Sequence, residues 1–290
     1  MAVIAETLID EPKRRFSLWQ AIRRNPTIAF GGVLLALLLL VAIFGPQFVG
    51  DPFKISPRDR LRPPSERFWF GTDQFGRDVF TRTVWGARVS LIVGLSVAAI
   101  SSILGLVLGL LCGYFRRVDG LVMRVMDGVM AIPSILLAIA LITLTKPGLG
   151  IVIVAIVIPE VPRIVRVVRS VVLSIRSQPY VESAIAGGTR SMRLLVRHVL
   201  PNTLAPLIVQ ATFVCASAML IESGLSFLGA GVPPEVPSWG NIIAQGRTFF
   251  QIAPWNILIP GGFLALTVLA VNLLGDGLRD RLDPRLARRL

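Results

Sequence analysis

Histidine occurs once in this chain and cysteine twice. Without a Cys/His cluster no metal site of recognisable spacing is present in the sequence. Cys112 and Cys215 each fall within a long apolar stretch, which suits small buried residues and not a disulfide. No G-x-x-x-x-G-K-[ST] run occurs, so the chain lacks that phosphate-cradling loop for ATP hydrolysis. A membrane enzyme would need convergent acids, bases or metal ligands, and His198 sits alone in a polar loop. Charge is also scarce. Asp, Glu, Lys and Arg make up 16% of the 290 residues, against about 25% in ordinary soluble domains.

Long windows lack charged residues altogether. None occurs between Arg24 and Asp51, Arg88 and Arg116, Arg197 and Glu222, or Arg247 and Asp276. Each gap exceeds the roughly 20 apolar residues that carry a helix across a bilayer. The sequence therefore predicts an all-α, polytopic membrane protein with six transmembrane helices, at about 28–49, 89–114, 125–145, 149–170, 203–227 and 256–276. The first is too long for a signal-peptide core and is expected to stay uncleaved. In the fourth, the uncharged part from Pro147 to Pro159 is short, and Glu160, Arg163, Arg166 and Arg169 follow it. Pro133 is expected to kink the third.

Basic residues orient the spans. Twenty of the 30 Lys and Arg fall in segments 1–27, 115–127, 160–202 and 277–290; ten fall in 50–88, Lys146 and Arg247. The positive-inside rule then puts both termini in the cytoplasm, with 1–27 and 277–290 as cytoplasmic tails. The same rule accounts for the net charge of +13 without a nucleic-acid partner. Segment 50–88 becomes an external loop. Within it Val79, Phe80, Thr83, Val84 and Ala87 share one helical face and Arg77, Asp78, Thr81, Arg82 and Arg88 the other. That pattern predicts an amphipathic helix, lying either at the outer interface or on the protein's own surface.

The cytoplasmic segment 172–202 contains ESAIAGGTRSMRLLVRHVLP. A short helix opening near Ser177-Gln-Pro179 is expected to reach Ala186, with Gly187-Gly188 as a turn. Thr189 or Ser191 can cap a second helix. Its apolar face would be Met192, Leu195, Val196 and Val199, opposite Arg190, Arg193 and Arg197, with Pro201 ending it. Such a hairpin either lies on the membrane surface or offers itself to a groove on a cytoplasmic partner. His198 reads as a helix-end residue. Glu160 is either a functional intramembrane charge or the i,i+3 partner of Arg163. Glu222 either pairs structurally between spans or lines a translocation path.

Glu182-Ser-Ala184, then Gly188, then His198-Val-Leu-Pro201-Asn202 resembles the E-A-A…G…LP motif of ABC-importer permeases. The closest resemblance is to the dipeptide/oligopeptide/nickel family of binding-protein-dependent inner-membrane components. Further collinear matches are FGTDQFGRDVFTRTVWGARVSL (70–91), GYFRRVDGLVMRVMDGVMAIPS (113–134), ESGLSFLGAGVPPEVPSWGNII (222–243) and NLLGDGLRDRLDPR (272–285). The resemblance implies a type I importer permease with its core at 89–276, in a bacterial inner membrane. It further implies a second homologous permease, two cytoplasmic ATPase subunits and a periplasmic substrate-binding protein as partners. ATP would be used by those partners, and this chain would bind no cofactor or metal of its own. Coupling to the ATPases would fall to Glu182, Ser183, Ala184, Gly187, Gly188, Arg190, Arg193, His198, Leu200 and Pro201. Ser183 and Gly187 depart from the family pattern, where alanine and an apolar residue are usual. Peptides are the expected cargo, with nickel complexes the alternative. A transporter or channel acting alone would need paired intramembrane charges or an inverted repeat, and no such repeat is evident.

Overall fold

A computed structural model describes residues 26–145 and 148–282. Most of the 1–27 tail, Lys146 and the end of the 277–290 tail lie outside the described residues. The described chain is helical, with one isolated bridge, Thr72 to Asp78, in place of any sheet. The helices are α1 (Pro26–Phe48), α2 (Val79–Tyr114), α3 (Arg116–Met130), α4 (Ser134–Thr143) and α5 (Leu149–Arg176). They continue with α6 (Pro179–Ala186), α7 (Ser191–Phe227), α8 (Trp239–Gly246) and α9 (Trp255–Leu282).

Four helices, α1, α2, α7 and α9, are long and apolar enough to cross a membrane. The expected third span is instead a broken one. It consists of α3 and α4, which meet at 87° and together pass the same test as a fifth. The break has a local cause. Pro133 has no N–H to donate and disfavours helical backbone at Ile132 before it, so α3 stops at Met130 and α4 restarts at Ser134. The expected fourth span, α5, is not among the helices that pass, because Glu160 and its arginines interrupt the apolar run.

A second difference lies at 79–88. No separate interfacial helix forms: Val79 opens a single helix that runs to Tyr114. Asp78 caps it, accepting from the Phe80 and Thr81 amides at 3.2 and 3.0 Å. At 1.5 Å per residue these 36 residues span about 54 Å, well beyond a hydrocarbon core of about 30 Å. The first turns therefore stand clear of the apolar zone. Both faces of the first turns are covered by protein, since Arg82 and Thr81 are as buried as Val79 and Val84, whereas Arg88 farther along is exposed.

The centre of the bundle is α2 against α5. Gly105, Gly109 and Gly113 on α2 face Ile164, Val168 and Val172 on α5. A Cβ on Gly109 would lie 2.6 Å from that of Val168, and one on Gly113 would lie 2.5 Å from that of Val172. Small residues at every fourth position let two backbones approach where lipid supplies no hydrophobic drive. Around this pair, α7 contributes buried Val214, Ala218 and Met219, while α1 packs on α9 and α2. Much of the outer surface is apolar, including Phe30, Leu37 and Leu40 of α1 and Leu95 and Ile103 of α2, as a bilayer requires.

Candidate functional site

The hairpin of 177–202 is built from its turn outward. Gly188 has φ +77°, a backbone conformation that a side chain disfavours by about 1–2 kcal/mol. Its amide bonds the Ile185 carbonyl at 2.9 Å, and the Thr189 amide bonds that of Ala184 at 3.0 Å. These two bonds are the Schellman closure that satisfies the last carbonyls of α6. Gly187, by contrast, sits at φ −74°, which any residue adopts. The turn needs one glycine of the two.

The second arm differs from expectation in three ways. Its N-cap is Arg190, with no side-chain cap, in place of Thr189 or Ser191. Pro201 does not end it: the helix continues into the fifth span as α7. Proline is tolerated because Leu195–Val199 form a π-turn, in which the Leu200 amide reaches back to the Leu195 carbonyl. The wider turn accommodates a ring that would clash with the carbonyl four residues earlier. The register shift also changes the buried face, which is Leu194, Leu195 and Val199. Met192 and Val196 stand 65% and 63% exposed.

The arms close on each other through Tyr180. Its ring lies 6.4 Å from that of His198, and Asn202 Nδ2 donates to its hydroxyl at 3.5 Å and to the His198 carbonyl at 2.7 Å. Ser183 donates back to the Pro179 carbonyl at 2.8 Å, and Ala184 is half-buried while Val181 is fully buried. Glu182, Gly187, Gly188, Arg190, Arg193 and Pro201 are exposed, and Leu200 is half-buried. Among the described residues no cation pairs with Glu182.

Glu160 and Glu222 are both buried to 1% exposure but are not brought together. Glu160 pairs with Arg163 Nη1 at 3.1 Å. Glu222 Oε1 accepts from Ser226 and Ser238 at 2.9 and 2.8 Å. Ser238 in turn caps α8 by accepting from the Asn241 amide. Trp239, the next residue, donates its indole N–H to the Thr83 carbonyl at 3.0 Å. Glu222 thus ties the end of α7 to the segment that folds back over α2.

Two groups of charges escaped sequence reasoning. At the start of α2, Asp73 Oδ2 accepts from Arg77 Nε at 2.6 Å and Arg82 Nη1 at 2.9 Å, all three buried, and Arg77 reaches Gln245 at 2.6 Å. At the other end, Arg166 pairs with Asp127 at 2.6 Å, and Arg169 pairs with Asp119 through two bonds of 2.5 and 2.7 Å. The legible signal was Arg every third residue on α5 and two aspartates eight apart on α3.

Residues 105–288 match the family model described as binding-protein-dependent transport system inner membrane component. This chain belongs to that family. Residues 16–64 also match the N-terminal transmembrane domain of oligopeptide transport permease C. A probable peptide ABC transporter permease of Sinorhizobium fredii is 58% identical over 92% of either chain. The dipeptide permease DppC of Alkalihalophilus pseudofirmus is 43% identical, over 92% of this chain and 89% of that one. The oligopeptide permease OppC of Bacillus subtilis is 36% identical, over 95% and 92%. Among solved structures, an inward-facing form of the MetNI methionine ABC transporter aligns with TM-score 0.54. It has 22% identity over 71% of this permease and 96% of that chain, and so speaks to the fold. The permease is a multi-pass inner-membrane transport protein with the importer-permease fold.

Proposed function

We propose that this chain is one of two membrane-spanning subunits of an ATP-driven peptide importer. Its hairpin 177–202 is the surface through which cytoplasmic ATPases drive it. The observation that carries the reading is the exposure of apolar side chains on a segment rich in arginine. Tyr180, Ile185, Met192 and Val196 are each 47% exposed or more, beside an exposed Glu182 that no cation among the described residues pairs with. A helix pair rigidified by its turn, with apolar anchors and an exposed carboxylate, suits a groove on a partner protein. Because its second arm is continuous with α7, a push on the hairpin passes directly into the bundle.

In this reading α5 completes six spans, shielded from lipid by α2 and α7, and both termini are cytoplasmic. The second permease, two ATPases and a periplasmic binding protein complete the importer. ATP is hydrolysed by the ATPases, and this chain binds no cofactor or metal. Peptides are favoured over nickel complexes as cargo because the similar permeases named above serve peptides. Glu160 and Glu222 act as structural anchors and not as carriers of cargo.

Two measurements test the proposal. Glu182→Lys and Gly188→Val should each reduce co-purification of the ATPases and reduce peptide uptake. Full association and uptake in both variants would refute the coupling role. Uptake of a peptide panel against a nickel complex by the intact importer tests the cargo.

A further inference from the structure

Where α2 ends, α3 begins and α5 ends, a cavity of about 650 Å³ opens to the surface. Arg116, Asp119, Arg169 and Arg176 line it, with Cys112 and Leu173 in its apolar wall. Arg169 is already neutralised by its two bonds to Asp119. Arg116 and Arg176 are different: no carboxylate among the described residues pairs with either. Arg176 is held in place, donating to the Tyr114 carbonyl at 3.2 Å with its guanidinium 5.6 Å from the Tyr114 ring. That leaves most of its five N–H donors unused. Arg116 is the first residue of α3, and Phe115 before it supplies no side-chain cap. The free amides of that turn add positive potential beside the two arginines. Leu173, at 42% exposure, sets apolar surface next to the charge.

We propose that this cavity binds a phosphate-bearing anion, supplied either by the headgroup of an anionic phospholipid or as free phosphate. Guanidinium forks match phosphate oxygens in geometry as well as charge. The volume lies within the usual range for ligand pockets, about 300–1,000 Å³. A ligand would occupy the joint between α2, α3 and α5, beside the start of the coupling hairpin at Ser177.

The test uses the intact importer in phosphatidylcholine vesicles doped with a photoactivatable phosphatidylglycerol. Adducts are mapped by mass spectrometry with and without excess inorganic phosphate, and thermal stability is followed with phosphate alone. Three variants are compared: Arg116→Gln, Arg176→Gln and, off the cavity on α3, Arg124→Gln. Recovery of the assembled importer at its normal size checks folding. Lipid adducts are expected on 112–119 and 169–177. They should fall about fivefold with either cavity arginine removed and stay unchanged in Arg124→Gln. Resistance of these adducts to inorganic phosphate assigns the site to lipid. Stabilisation by phosphate that Arg116→Gln and Arg176→Gln abolish, without lipid adducts, assigns it to a soluble anion. Equal labelling in all three variants, or neither labelling nor phosphate stabilisation, overturns the proposal.

Discussion

Where α2 begins, Asp73, Arg77 and Arg82 are buried and share one carboxylate oxygen. At the end that carries the hairpin, Glu182, Arg190 and Arg193 are exposed, and no ion pair joins them to one another. The two regions use the same residue types in opposite ways. The charges at the start of α2 have been taken out of water, which costs free energy that their bonds to one another and to Gln245 offset; they hold the 50–78 loop, α2 and α8 as one block. The hairpin charges keep their water, and its apolar side chains face outward. One end is held by bonds within its own chain, while the other leaves its charges and apolar side chains exposed.

The buried charge cluster depends most on Asp73, whose Oδ2 accepts from both arginines. Asp73→Ala leaves two buried arginines without their anion, which costs about 3–5 kcal/mol. The thermal stability of the purified permease should fall sharply. A smaller loss follows Gly109→Val, which forces a side chain into the α2–α5 seam and costs about 1–3 kcal/mol, again read as thermal stability. In the hairpin, Gly188→Val strains the turn by about 1–2 kcal/mol. Hydrogen exchange at the Gly188 and Thr189 amides should quicken by roughly fivefold to thirtyfold, while the block around Asp73 is unchanged. The smallest effect has the opposite sign. Gly187→Ala should stabilise the hairpin by about 0.4–1 kcal/mol, since φ −74° suits alanine and the unfolded chain loses freedom. Slower exchange at the same two amides checks it.

Much of the architecture was legible because charge is so costly in lipid. The gaps from Arg24 to Asp51 and from Arg247 to Asp276 correspond to α1 and α9. The double glycine marked the turn, although sequence alone did not distinguish Gly188 from Gly187; only φ separates them. Features set by tertiary partners were not legible. Arg82 looked like a solvated face because Asp73 lies nine residues away across a turn. Pro201 looked like a stop because the π-turn that admits it has no sequence signature. Helical periodicity put Met192 and Val196 on one apolar face with Leu195 and Val199, a face that the same π-turn splits into buried and exposed halves. The 87° bend went beyond the kink expected at Pro133, since periodicity carries no angle.

If the hairpin couples the permease to ATPases, its exposed apolar side chains meet a protein and not the bilayer. A photo-crosslinking residue placed at Met192 in the intact, membrane-embedded importer tests it most directly. Adducts to an ATPase subunit are the predicted result. Adducts to lipid alone would contradict the claim and make the hairpin a membrane-surface anchor.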